Sequence, residues 1–256
     1  MSNSFTRIAE YRKAPFSATC TNGQRISHDV YQRGSGAPVV LIQELPGIGP
    51  ETLCLADEFV DRGFEIILPH LFGPLEKISM GGNLLRVFCM RREFSLFAAN
   101  RASPIVDWLK ALCREIKTQG KHKGVGVIGM CLTGNFAISL MGDDSVLAAV
   151  SSQPSMPLMK ASQLHMSATD ITAIRQRIDA TAPMHAYRFD GDPMCSAAKF
   201  RAIDAAFNDK GVTRVATHTL PGKGHSVLTL DFVDQQGHPT RAALDDILTY
   251  FAAQLQ

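Results

Sequence analysis

A cysteine, an aspartate and a histidine follow one another along this chain, each in a segment that ends a strand-like run. The stretch Val125-Gly126-Val127-Ile128-Gly129-Met130-Cys131-Leu132-Thr133-Gly134 reads as a buried strand that stops at Gly-x-Cys and enters a helix at Asn135. A nucleophile on such a tight strand-to-helix turn is exposed at the carboxyl end of a sheet, where crowding demands small neighbours such as Gly129 and Gly134. The helix N-terminus behind it supplies backbone N–H groups and a positive dipole. Both favour a thiolate at Cys131 and an oxyanion nearby. The alternative for Cys131 is a buried structural thiol, the usual fate of a free cysteine.

The other two groups come in the chain order that α/β hydrolases use, which is nucleophile, then acid, then histidine. Phe189-Asp190-Gly191-Asp192-Pro193 follows one strand-like run, and Gly222-Lys223-Gly224-His225-Ser226 follows the last one. Three strand-end loops can therefore converge on one edge of a sheet. A histidine in such a loop can act as general base, with a carboxylate fixing its tautomer and stabilising the imidazolium. Asp190 competes with Asp192 for that carboxylate role. Asp192 is preferred, because Asp190 lies closer to the strand and is suited to capping the turn.

These loops need a sheet to position them, and the sequence supplies one. Apolar runs at 38–42, 64–68, 125–128, 147–150, 186–189 and 214–219 alternate with helical patterns, the sign of a mostly parallel sheet covered on both faces. The first four are nearly continuous apolar stretches, as expected of strands buried on both sides. Ile105, Val106, Leu109, Leu112, Cys113 and Ile116 repeat at helical spacing behind Ser103 as N-cap and Pro104 as first helical residue. Leu244, Ile247, Leu248, Phe251 and Leu255 form a second stripe after Thr240, and Phe200, Ile203 and Phe207 mark a helix from Ser196 to Lys210 that stops at Gly211. Asn22-Gly23 between two strand-like segments, 17–21 and 25–31, predicts an antiparallel hairpin at one edge.

Composition narrows the class. The chain has 256 residues, 45% hydrophobic and 20% charged, with a net charge of +2. That length fits one α/β domain spanning 1–256, and so small a charge gives no reason to expect nucleic acid or an anionic membrane as partner. The N-terminus lacks a basic flank followed by an apolar stretch, and no apolar run reaches the roughly 18 residues of a membrane span, so the chain reads as cytoplasmic. Cys20, Cys54, Cys89, Cys113, Cys131 and Cys195 show no paired spacing and are read as free thiols. The histidines show no metal-ligand spacing, His70 reads as structural, and no glycine-rich phosphate loop appears. No metal or other cofactor is expected.

In the residues that surround these features, the chain resembles the dienelactone hydrolase family of α/β hydrolases. The resemblance runs from about Val39 to His225. It is carried by Gln43-Glu44-Leu45-Pro46-Gly47, Ala56-Asp57, Leu68-Pro69 with Leu71-Phe72, Gly129-Met130-Cys131-Leu132, Gly191-Asp192 and Gly224-His225-Ser226. It implies an α/β-hydrolase fold and a Cys131, Asp192, His225 triad. It also implies an oxyanion hole made by the backbone N–H groups of Leu45 and Leu132, and a Glu44 that holds the resting thiol until substrate binds. Arginines of the family hold a substrate carboxylate, which points to Arg92, with Arg91 as competitor. The implied substrate is a small ester or lactone, carboxylate-bearing if such an anchor operates. The oligomeric state is not implied.

Two departures from the family pattern bear on substrate. Thr133 stands where glycine is usual, so a β-branched side chain must fit the crowded elbow or hydrogen-bond within it. Residues 153–180 lengthen the segment before the acid loop and are a candidate lid-like insertion over the site. Two rivals follow: a carboxylesterase or thioesterase without lactone preference, and a catalytically silent protein that binds a small acid. A thiol-redox role is a third, with Cys195 as the one cysteine placed to approach Cys131.

Overall fold

A computed structural model describes residues 5–89, 103–155, 163–164, 166–209 and 211–256. Eight strands form one sheet: β1 (Arg12–Thr19), β2 (Arg25–Gly34), β3 (Ala37–Ile42), β4 (Phe64–His70), β5 (Val125–Met130), β6 (Val146–Ser152), β7 (Met184–Phe189) and β8 (Val215–Leu220). Their spatial order is β1-β2-β4-β3-β5-β6-β7-β8. The hairpin β1–β2 is antiparallel, β2 joins β4 antiparallel, and every pairing beyond β4 is parallel. All six apolar runs are strands, and the Asn22-Gly23 segment closes the expected edge hairpin.

The period-two alternation of each central strand feeds two separate cores. Val40, Ile42, Val125 and Val127 face one side, together with Trp108, Leu109, Leu112, Phe136 and Ile138. These come from α3 (Pro104–Gly120) and α4 (Gly134–Leu140). Val39, Leu41, Ile128 and Met130 face the other, against Leu53 and Phe59 of α1 (Pro50–Asp61) and Ile247 and Phe251 of α7 (Pro239–Leu255). Helix α2 (Met80–Cys89) adds its Asn83, whose Nδ2 donates to the carbonyls of Leu45 and Pro46 at 3.0 and 3.1 Å.

Two helices sharpen the sequence reading. Within the candidate insertion, residues 168–179 form a helix, α5 (Ala168–Asp179), with Ile174 and Ile178 buried in the first core. A reciprocal cap starts it: Asp170 N–H donates to Ser167 Oγ at 3.1 Å, and Ser167 N–H to Asp170 Oδ2 at 2.9 Å. Helix α6 (Ala197–Phe207) stops short of the expected Lys210. The cause is Asn208, whose Oδ1 accepts from Arg214 N–H at 2.8 Å and Val215 N–H at 2.9 Å and so turns the chain into β8.

The junction of β5 and α4 is tightly packed. A Cβ on Gly129 would lie 2.1 Å from the Thr133 carbonyl oxygen, so only glycine fits beneath the turn. Thr133, the departure from the family pattern, hydrogen-bonds within the elbow. Its Oγ1 accepts from Met130 N–H at 2.9 Å, and its proton is within reach of the carbonyls of Met130 (2.9 Å) and Ile42 (3.2 Å). One hydroxyl thus ties the end of β5 to the end of β3.

Replacing Thr133 by valine keeps the shape but leaves the Met130 N–H without its partner, at a cost of about 1–3 kcal/mol. Urea unfolding is expected to show this loss in Thr133→Val and recover most of it in Thr133→Ser.

Candidate active site

Cys131 is buried at the turn after β5 with a φ of 56°, in the left-handed region that a side chain occupies only at a cost. The chain around it is pinned. Ser155 N–H donates to the Cys131 carbonyl at 3.1 Å, and Asn135 Nδ2 donates to the Ser155 carbonyl at 3.0 Å. The Ser155 Oγ lies 3.2 Å from the Cys131 Sγ. Ser155 therefore moves with the thiol it touches.

Asp192 and His225 meet as the chain order requires. His225 Nδ1 is 2.8 Å from Asp192 Oδ2 and 3.0 Å from Oδ1, and the carboxylate is wholly withdrawn from solvent. Oδ1 also accepts from the N–H groups of Met194 and Cys195, both at 2.8 Å, which fixes the carboxylate before the imidazole arrives. The loop that bears it is held by Arg188, whose buried guanidinium donates to the carbonyls of Phe189, Asp190 and Cys195 at 2.7, 3.1 and 3.4 Å. Asp190 serves elsewhere: its Oδ1 accepts from Gly222 N–H at 3.0 Å and joins the acid loop to the histidine loop.

The His225 loop is shaped by Asp231, whose Oδ2 accepts from the N–H groups of His225 and Ser226 at 2.8 and 2.9 Å. The approach of that carboxylate explains the glycine before the histidine, since a Cβ on Gly224 would lie 2.6 Å from it. On the far side of the ring, Nε2 is buried without a well-aligned partner among the described residues. The Cys131 thiol is the group beside it. Burial disfavours the imidazolium, yet the bond to Asp192 and the adjacent thiol outweigh it and push the His225 pKa up to about 10.

Glu44 sits just beyond β3. The β3–β5 register pairs Ile42 with Gly129, so Glu44 and Leu45 come level with Cys131 at the same edge of the sheet. The Glu44 carboxylate is buried and accepts from Ser226 Oγ at 3.0 Å, Gln153 Nε2 at 3.4 Å and the Thr229 hydroxyl. Burial raises its pKa, against the pull of those three donors. Its hydrogen bonds thus go to the histidine loop and to Gln153, while the Cys131 sulfur lies between the Ser155 hydroxyl and the His225 ring. Leu45 lies in the turn closed by Gly47 N–H donating to the Glu44 carbonyl at 3.0 Å. Leu132 opens the first helical turn after Cys131, where N–H groups have no partner within the helix.

Some expected residues fall elsewhere. Arg91 and Arg92 lie outside the described residues. His70 is structural as read, its Nε2 2.8 Å from the Gly73 carbonyl oxygen. Cys195 is buried, and burial together with the Asp192 charge pushes its pKa up to about 12, so it stays a thiol that does not attack. Sequence reasoning missed Ser155, Gln153 and Thr229. Of these only Thr229, four residues after His225, stood beside a motif that could have drawn attention to it.

Comparison with known proteins bears directly on this geometry. The sequence matches the dienelactone hydrolase family over residues 29–253, most of the chain. It belongs to that family. No curated protein matches its sequence. Among solved structures, it is similar to a protein assigned as a dienelactone hydrolase from Klebsiella pneumoniae, with a TM-score of 0.66 and 15% identity over 94% of this chain and 99% of that one. Dienelactone hydrolase from Anabaena variabilis superimposes with a TM-score of 0.61 at 12% identity, covering 96% and 100% of the two chains. A cold-adapted esterase from an Arctic intertidal metagenomic library gives 0.59 at 15%, covering 100% and 99%. At such identities the superpositions carry the fold, and family membership carries hydrolysis of an ester or lactone bond.

NMR titration of the His225 ring is expected to show an imidazolium that persists through neutral pH and releases its proton near 10. In Asp192→Asn the transition falls toward the ordinary value of about 6.5. A raised folded-state pKa stabilises the fold fully below the unfolded value and loses that contribution as pH rises through about 10. The stability gap between wild type and Asp192→Asn is therefore widest in acid and narrows in alkali.

Proposed function

We propose that this protein hydrolyses a small lactone, ester or thioester through Cys131 as nucleophile, with no cofactor. The observation that carries the reading is the His225–Asp192 pair, whose 2.8 Å bond leaves the opposite ring nitrogen facing a cysteine at a left-handed elbow. Asp192 fixes the imidazole tautomer and stabilises its charge. His225 holds its proton as an imidazolium beside the Cys131 thiolate, and the Cys131 sulfur adds to the carbonyl carbon. The oxygen becomes an oxyanion, for which the N–H groups of Leu45 and Leu132 are the donors.

Collapse of that adduct breaks the bond to the leaving alkoxide, which receives the proton from His225. An acyl-thioenzyme remains. Water, deprotonated by the same imidazole, then adds to the thioester carbon and releases the acid and the Cys131 sulfur. A tetrahedral adduct on sulfur expels thiolate more readily than an unprotonated amine, which favours esters over peptides. Arg92, with Arg91 as its competitor, is proposed to pair with a substrate carboxylate. The cytoplasm is the proposed compartment, where a free thiol nucleophile stays reduced.

Two measurements test this reading. On a panel of activated aryl esters, a thioester and an unsaturated lactone, Cys131→Ala and His225→Ala are each expected to lower kcat at least about a thousandfold. Rapid quenching of wild type is expected to show acyl mass on Cys131, and turnover surviving in Cys131→Ala rejects the nucleophile assignment. In Arg92→Ala, KM for a carboxylate-bearing ester is expected to rise about tenfold or more, with neutral esters unaffected.

A further inference from the structure

The family resemblance assigns the resting thiol to Glu44, yet the hydrogen bonds of this chain are arranged otherwise. The Glu44 carboxylate has three donors from other segments, Ser226, Thr229 and Gln153, and they occupy both of its oxygens. The Cys131 sulfur has a different neighbour, the Ser155 hydroxyl at 3.2 Å. We propose that Ser155 holds the resting Cys131 sulfur and sets how readily it ionises, leaving Glu44 to hold the histidine loop against Gln153.

The geometry suits that division. Ser155 is 3% exposed, so its hydroxyl is buried beside the sulfur. Its N–H reaches the Cys131 carbonyl at 3.1 Å, and its own carbonyl receives Asn135 Nδ2 at 3.0 Å. The hydroxyl therefore keeps its place relative to Sγ whatever the adjoining chain does. A carboxylate beside the sulfur would oppose ionisation, since it brings a like charge, whereas a hydroxyl can turn with the charge. It accepts from the S–H of the thiol and donates to the thiolate once the sulfur has lost its proton and faces the His225 imidazolium. No other bond changes in that step. Acylation replaces the anionic acceptor by a thioester sulfur, so the bond is strongest before attack and acts on formation of the nucleophile.

The proposal rests on Cys131 being the nucleophile but is tested without turnover. Iodoacetamide labelling of Cys131, followed by peptide-resolved mass spectrometry between about pH 5 and 11, reports the midpoint at which the sulfur becomes reactive. In Ser155→Ala the midpoint is expected to rise by about one pH unit, the effect of losing one hydrogen bond to a charged group. Ser155→Thr, which keeps the hydroxyl, is expected to restore it, and thermal melting of both variants reports on folding. An unmoved midpoint in Ser155→Ala overturns the proposal, as does a shift that Ser155→Thr fails to reverse. A midpoint that moves in Glu44→Gln and not in Ser155→Ala returns the role to Glu44. Failure of the nucleophile assignment shows separately, as ester turnover retained by Cys131→Ala.

Discussion

The chain must leave β5 and enter α4 across the three residues Cys131–Thr133, and it does so by forcing Cys131 to a φ of 56°. A non-glycine residue in that region costs free energy, and it persists only where its surroundings over-determine it. Here the surroundings are specific. Gly129 removes the side chain that would strike the Thr133 carbonyl, Thr133 seals the end of the strand, and Ser155 N–H takes the Cys131 carbonyl. Each support comes from a different position in sequence, and together they hold the strained cysteine in place.

A second constraint is the polarity of the sheet edge. Glu44, Gln43, Gln153, Ser155 and Asp192 are all buried there, where an unpaired polar group is costly. Gln43 shows how the cost is met: its Nε2 donates to the Phe72 carbonyl at 3.0 Å while its Oε1 accepts from Leu71 N–H at 3.0 Å. That single side chain stitches the loop after β3 to the loop after β4. Arg188 does the same for the loop of Asp192 and Asp231 for the loop of His225, so both side chains are borne by segments with few free degrees of motion.

Most of the architecture was legible in the sequence because parallel strands buried on both faces leave unbroken apolar runs, and amphipathic helices leave a 3.6-residue stripe. The cysteine, acid and histidine were legible because each follows such a run, with a glycine next to Asp192 and His225 and two residues before Cys131. Asp192 rather than Asp190 as the partner of His225 also followed from distance to the strand. What the sequence hid was polar and long-range. Ser155 reaches Cys131 across 24 positions and Thr229 reaches Glu44 across 185, and no local pattern encodes either contact. Helix α5 was not singled out in the sequence because only Ile174 and Ile178 of its residues are deeply buried, although Ser167 and Asp170 already spelled its cap.

The pairing of Ile42 with Gly129 across β3 and β5 carries a consequence for how such a protein can change. Adjacent parallel strands are held about 4.8 Å apart by their ladder, so the ladder acts as a ruler between the Leu45 and Cys131 backbones. Loops beyond the strand ends can lengthen, shorten or be replaced without altering that spacing. The spacing of the strand ends and the surface made by the loops are thereby mechanically uncoupled, and loop exchange can remodel that surface while the sheet keeps the spacing.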